Sequence, residues 1–176
     1  MNYAVIKCSD VANGPGVRVS LFVSGCTHHC KGCFNSEAWD FSFGKPFNEE
    51  TEAHILKLLE RPYIRGLSVL GGEPFEPDNQ LVLAGFLKKV KERYPQKTIW
   101  CYTGYDYEKD ITGKMKQTLS QTSVMLENID ILVDGKFIEA QKNLNLRFRG
   151  SSNQRIIDIK KSVNEKKIVL WNDNIK

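Results

Sequence analysis

Strand-like runs of β-branched and apolar residues alternate with helix-like segments along most of the chain, and this alternation most constrains the fold. Strands are predicted at residues 3–7 (an edge strand), 17–24, 66–70, 98–102, 130–133, 155–159 and 167–171. Such alternation is typical of an α/β fold with a parallel sheet and right-handed crossovers. A complete eight-stranded barrel takes about 250 residues. A chain of 176 residues is therefore expected to form an open, partial parallel β/α barrel.

Two helices are clearly delimited by the residues at their ends. Asn48 is a predicted N-cap, with acidic residues in the first turn, and the helix is expected to continue through Glu60. A second helix is expected from about residue 78 to 94, where Pro95 ends it. Residues 106–126 are predicted to be helical from a weaker pattern.

The composition is that of an ordinary folded protein, with 41% hydrophobic and 26% charged residues. The length favours one domain over residues 1–176. No apolar stretch is long enough for a transmembrane helix, and the first ten residues lack a signal-peptide core, so a cytoplasmic location is expected. Residues 136–176 hold ten Lys and Arg against four Asp and Glu, a charge excess that suits a solvated face or an acidic partner. Neither nucleic acid nor a membrane is expected as a partner.

Three of the five cysteines lie within eight residues, directly after the predicted strand at 17–24. Cys26, Cys30 and Cys33 have the spacing C-x3-C-x2-C, while Cys8 and Cys101 lie apart and are expected to be packed side chains. The three thiols could be structural, could bind zinc together with one of the two histidines inside the loop, or could hold an iron–sulfur cluster. Three thiolates on a four-iron cluster leave one iron open, as a catalytic metal site requires.

A second motif, Leu70-Gly71-Gly72-Glu73-Pro74, lies at the end of the next predicted strand. Ligands of open α/β sheets bind at the carboxyl ends of the strands. Paired glycines permit a close approach of the backbone to a ligand, and Glu73 can accept hydrogen bonds from a cationic amine.

These two motifs together resemble the radical S-adenosylmethionine enzymes. The resemblance implies that Cys26, Cys30 and Cys33 hold a [4Fe–4S] cluster and that its open iron chelates S-adenosylmethionine. It also implies that Gly71, Gly72 and Glu73 bind the methionine amino group. Many members have an aromatic residue just before the third cysteine, whereas this chain has Gly32 there and Phe34 after it. The backbone of residues 32–34, including Cys33, and the Phe34 ring are expected beside the adenine.

Further motifs narrow the resemblance to the activating proteins of glycyl radical enzymes. The resemblance is most specific for the activating proteins of anaerobic ribonucleotide reductases. It rests on segments 14–18, 26–35, 102–105, 133–137 and 149–155. The implied function is reductive cleavage of S-adenosylmethionine to a 5′-deoxyadenosyl radical, which generates a glycyl radical on the large reductase subunit. A low-potential electron donor such as flavodoxin or ferredoxin is implied as well. The alternatives are an activase of pyruvate formate-lyase or of another glycyl radical enzyme, a small-molecule radical enzyme, and a zinc-binding interaction module.

Overall fold

A mixed β-sheet organises residues 1–172, the part of the chain that the computed structural model describes. Its seven strands in that part are β1 (Asn2–Asp10), β2 (Val17–Val23), β3 (Lys45–Pro46), β4 (Ile64–Gly71), β5 (Thr98–Tyr102), β6 (Ile131–Asp134) and β7 (Arg155–Asp158). They lie in the order β3-β1-β2-β4-β5-β6-β7. The four central strands β2, β4, β5 and β6 run parallel, and the outer three pair antiparallel with their neighbours.

The predicted parallel sheet is thus confirmed for its centre and wrong for its edges. Residues 11–16 connect β1 to β2, and so short a connection permits a hairpin but not a crossover between parallel strands. The strand predicted at 167–171 is also wrong, because this stretch forms a single antiparallel bridge between Ile157 and Leu170. The open-barrel shape stays a prediction.

The helices are α1 (Glu49–Leu59), α2 (Pro77–Arg93), α3 (Lys116–Thr118), α4 (Ser120–Asn128) and α5 (Ile159–Glu165). The predicted N-cap of α1 is confirmed, since the Asn48 side chain accepts a hydrogen bond from the backbone of Thr51 at 3.0 Å. A π-helix, Tyr107–Met115, leads directly into α3. Because a π-helix departs from the α-helical repeat, it explains the weak periodicity of this region. No helix within residues 1–172 combines the length and the apolar character needed to cross a bilayer.

One face of the sheet packs against the helices, and the other holds a buried polar layer. Arg18 on β2 is fully buried in this layer. It donates to Ser68 Oγ at 2.7 Å, to Thr98 Oγ1 at 3.0 Å, and to the carbonyls of Leu67 and Thr98 at 2.8 Å. Burial lowers the pKa of Arg18 to about 10. These hydrogen bonds tie β2, β4 and β5 together.

Aromatic rings cover part of the same polar face. The ring centroid of Trp100 on β5 lies 5.5 Å from that of Phe148 and 5.0 Å from that of Trp171. Trp100 is buried, so its ring packs in the interior. The segment that carries Phe148 is therefore held against this face of the sheet.

Candidate metal centre and cofactor cavity

The cysteine loop leaves the carboxyl end of β2 along a path that requires a glycine. Gly25 has a φ of +93°, and a Cβ added there would lie 2.3 Å from the Phe41 ring. The Gly25 N–H donates to the carbonyl of Ala38 at 2.8 Å, and the Cys26 N–H donates to that of Trp39 at 3.1 Å. Cys26 is thereby fixed just beyond the carboxyl end of β2.

All three predicted ligands, Cys26, Cys30 and Cys33, are free thiols that line one cavity of about 420 Å³. Cys26 is buried, and the other two are half-buried. Within residues 1–172, no three His, Cys, Asp or Glu side chains converge as ligands of a single metal ion. In a four-iron cluster each thiolate binds a different iron, so the sulfurs surround a volume rather than a point. Three soft thiolate donors around one cavity fit such a cluster.

The protein environment favours the protonated form of two of these thiols, Cys26 and Cys30, when no metal is bound. Burial raises the pKa of Cys26 to about 11, against a hydrogen bond from the His28 backbone. Burial also raises the pKa of Cys30, and the positive charge of Lys136 opposes that shift. Metal binding therefore has to displace protons from these two thiols.

The glycines of the second motif allow the end of β4 and the loop after it to lie close to β2 and the cysteine loop. Gly71 ends β4 with a φ of +112°. A Cβ on Gly72 would lie 2.6 Å from the carbonyl oxygen of Gly25 and 2.9 Å from that of Ala38. The Glu73 N–H donates to the Gly25 carbonyl at 2.8 Å. The sequence predicted close approach to a ligand here, and the structure adds a close approach to the cysteine loop.

The carboxylate of Glu73 joins three of the sequence motifs. It is almost fully buried, and its Oε1 accepts from the Phe75 N–H at 2.8 Å. Its Oε2 accepts from the Gly104 N–H at 2.7 Å and lies 2.9 Å from Nε2 of His28. His28 comes from the cysteine loop and Gly104 from the turn after β5. From the sequence, His28 could equally tune or shield the cluster or be an ordinary loop residue, and its partner was not foreseen.

Glu76 is a site residue that sequence reasoning missed. Its buried carboxylate accepts from the backbone N–H of Thr27 at 2.8 Å and from the Thr27 hydroxyl at 2.6 Å. Thr27 follows the first cysteine, so Glu76 anchors the loop one residue from a predicted ligand. The one available signal was its position three residues after Glu73, and that spacing alone does not indicate a contact.

The turn after β5 packs against His28 of the cysteine loop. The Thr103 hydroxyl accepts from the Tyr105 N–H at 3.1 Å, and the ring centroids of Tyr105 and His28 are 4.3 Å apart. A Cβ on Gly104 would come within 2.5 Å of the His28 ring. Glycine at 104 therefore makes room for the imidazole.

Segments 133–137 and 149–155 are bonded to each other at the end of β6. Arg155 pairs with both carboxylate oxygens of buried Asp134, at 3.0 and 2.5 Å, and this hydrogen bonding raises the pKa of Arg155. The Gln154 side chain accepts from Gly150 at 2.8 Å and donates to the carbonyl of Gly135 at 3.0 Å. Segment 149–155 thus fixes the turn that follows β6, which borders the cavity.

The remaining predicted cofactor residues line the cavity as well. Gly32 has a φ of +71°, and Phe34 is 85% exposed. Together with Cys33 they share the cavity with Gly71, Gly72 and Glu73. The structure therefore brings the predicted site residues to one place. Which of them contact an adenine stays a prediction.

The two cysteines outside the cluster motif differ from each other. Cys101 is fully buried in β5, as expected, and burial raises its pKa well above the usual value. Cys8 was expected to be packed, and this is wrong: it is exposed on β1. Cys8 lies in the part of β1 beyond the two residues that pair with β3, and its neighbours Lys7 and Ser9 are exposed as well.

Comparisons with known proteins agree with this site. Residues 12–157 match the family described as 4Fe-4S single cluster domain. The chain is 44% identical over 158 residues to the anaerobic ribonucleoside-triphosphate reductase-activating protein of Haemophilus influenzae, covering 89% of this chain and 97% of that protein. It is 43% identical to the protein of that name from Pasteurella multocida, covering 89% and 96%. It is 37% identical to the one from Escherichia coli K12, covering 88% and 96%.

Proposed function

Since the chain belongs to the family of anaerobic ribonucleoside-triphosphate reductase-activating proteins, we propose that it is a radical S-adenosylmethionine enzyme that generates a glycyl radical on that reductase. The observation that carries the proposal is that the three cysteines and Gly71-Gly72-Glu73 line one cavity. When bound and reduced by an electron donor, the cluster would supply one electron for cleavage of the C5′–S bond of S-adenosylmethionine. The products would be methionine and a 5′-deoxyadenosyl radical, which would take a hydrogen atom from the glycine.

Cys26, Cys30 and Cys33 are the proposed cluster ligands. The match to a 4Fe-4S single cluster domain and the thiol-lined cavity support this assignment. Thr27 and His28 hold the loop between the first two ligands through their bonds to Glu76 and Glu73. The loop is therefore anchored at both residues that follow Cys26.

Glu73 is the proposed partner of the cofactor's amino group. Its Oε1 accepts one hydrogen bond within residues 1–172, from Phe75, and a carboxylate oxygen can accept a second. Because the carboxylate is buried, a charge-assisted bond to an ammonium group would be strong there. Gly32 and Phe34 are proposed to lie beside the adenine, since they border the same cavity.

The proposal also covers the type of barrel, the electron donor, the cellular location and the choice of partner. The four parallel strands with loops at one edge support an open barrel of the radical S-adenosylmethionine type, as a single domain over residues 1–176. A low-potential flavodoxin or ferredoxin is the proposed electron donor. The free thiols among the described residues suit the cytoplasm, where cysteines stay reduced. The names of the relatives favour the ribonucleotide reductase over pyruvate formate-lyase as the partner.

Anaerobic reconstitution with iron and sulfide tests the proposal. The protein should turn brown, and with reductant it should convert S-adenosylmethionine to equal amounts of methionine and 5′-deoxyadenosine. Added anaerobic ribonucleotide reductase should then acquire a radical visible by electron paramagnetic resonance, and pyruvate formate-lyase should not. A colourless zinc protein without cleavage activity would contradict the proposal.

A further inference from the structure

One wall of the cavity is formed by residues 136–150, called here the cover segment. Its cavity-lining side chains include Lys142, Leu144 and Leu146. The segment is tied to Ser151 at two points, by a β-bridge from Lys142 and by a hydrogen bond of 3.3 Å from the Ile138 N–H to Ser151 Oγ. It therefore forms a defined rim beside the predicted cluster site.

The two most exposed large apolar side chains of residues 1–172 both border this cavity. Leu144 on the cover segment is 88% exposed, and Phe34 on the cysteine loop is 85% exposed. The next in order is Val11, at 69%. Leaving two such groups in water is unfavourable by itself, and exposed apolar groups rimmed by polar residues mark interaction sites.

The cover segment also carries an excess of positive charge. It contains Lys136, Lys142, Arg147 and Arg149, against a single acidic residue, Glu139. Glu139 is already paired with Lys31 at 3.3 Å. Lys136 and Lys142 are exposed and form no ion pair within the described part of the chain. The rim is therefore cationic around an apolar centre, which fits an acidic and apolar polypeptide.

We propose that the cover segment and Phe34 form the docking surface for the glycine-bearing segment of the reductase. An apolar side chain of that segment would pack on Leu144 and Phe34, and acidic side chains would face Lys136 and Lys142. The inference rests on the proposed function, because hydrogen abstraction requires the partner's backbone to reach the cavity within van der Waals contact of the reacting carbon. A segment that enters the cavity passes this rim.

The test uses the full reconstituted protein, chemical reductant and purified reductase. Leu144→Ser removes the apolar contact, and Leu81→Ser, at a leucine 57% exposed on α2, is the matched control. We expect Leu144→Ser to weaken binding of the reductase about tenfold, the loss of one buried leucine contact. Lys142→Glu should weaken it most at low salt. Cleavage of S-adenosylmethionine without reductase should stay within about twofold of wild type for Leu81→Ser. Bound iron and this cleavage are also measured for the other two variants, so that a loss of docking is distinguished from damage to the cavity that Leu144 and Lys142 line.

The outcomes separate this surface from the proposed function. If Leu144→Ser bound the reductase as tightly as the unchanged protein does, and the unchanged protein formed the radical, only the docking surface would be overturned. An equal loss in Leu81→Ser would overturn it too, since the effect would not be local. If Leu144→Ser impaired reduction by flavodoxin but not radical formation with dithionite, the surface would belong to the electron donor. Absence of any reductase radical with wild type would instead reject the proposed function.

Discussion

Nε2 of His28 lies 2.9 Å from Oε2 of Glu73, and this contact joins the cysteine loop to the loop that follows β4. The same oxygen accepts from the Gly104 N–H at 2.7 Å. A buried carboxylate is stabilised by such donors, and removing one leaves an acceptor unsatisfied. His28 therefore orients Glu73 and links the proposed cluster ligands to the proposed cofactor partner.

Replacing this histidine should weaken cofactor binding. His28→Ala removes a hydrogen bond to a charged group, worth roughly 1.5–3 kcal/mol, so affinity for S-adenosylmethionine should fall roughly 10- to 150-fold. His28→Gln keeps an N–H donor and should retain most of the affinity. Equilibrium binding to the reconstituted protein measures both, with the exposed His54→Ala on α1 as a control. Unchanged affinity in His28→Ala would show that the contact does not position Glu73.

Alanine at Gly72 should destabilise the fold before any ligand is bound. The added Cβ would lie 2.6 Å from the Gly25 carbonyl oxygen, and overpacking of this kind costs roughly 1–3 kcal/mol. Gly85→Ala on α2 is the matched control, because nothing lies within 4 Å of its Cβ position. It should stabilise the helix by roughly 0.5–1 kcal/mol. Urea unfolding of the metal-free protein measures both, and equal stabilities would refute the steric account.

The cysteines should divide into ligands and packing residues. Alanine at Cys26, Cys30 or Cys33 should abolish reductive cleavage of S-adenosylmethionine and lower the bound iron. Cys101→Ala should retain cleavage and lose roughly 1–2 kcal/mol of stability through the cavity it leaves. Cys8→Ala, at an exposed position, should change neither. Normal cleavage by a reconstituted Cys30→Ala protein would reject the ligand assignment.

Glu76 should govern how firmly the cluster is held. Glu76→Ala removes both acceptor contacts to Thr27, so iron should pass to a chelator about tenfold faster than from the wild-type protein. Glu76→Gln keeps an acceptor oxygen and should lose iron more slowly than the alanine variant. Glu92→Ala, at an exposed carboxylate on α2, is the control. Iron release from Glu76→Ala at the wild-type rate would mean that the loop does not depend on this anchor.

Local signals made the central elements predictable. Asn48 marked the start of α1, and Pro95 lies just beyond α2. The resemblance to activating proteins is confirmed by the relatives. Strand direction at the edges was missed because alternation says nothing about how an outer strand pairs. The six residues between β1 and β2 did carry that information, since they exclude a crossover.

The contacts within the site were beyond sequence reasoning. His28 and Glu73 are 45 residues apart, and Thr27 and Glu76 are 49 apart. No local pattern indicates such pairs, because they arise only when β2 and β4 bring their carboxyl ends side by side. The sequence could therefore name the motifs, whereas the anchoring of the cysteine loop by two glutamates required the structure.

Transfer of deuterium tests the central claim most directly. Anaerobic ribonucleotide reductase labelled with deuterium at Cα of its glycines is mixed with the reconstituted protein, reductant and S-adenosylmethionine under anaerobic conditions. The account predicts deuterium in the 5′-deoxyadenosine and a carbon-centred radical on the reductase, seen by electron paramagnetic resonance. Unlabelled 5′-deoxyadenosine with no radical on the reductase would contradict it.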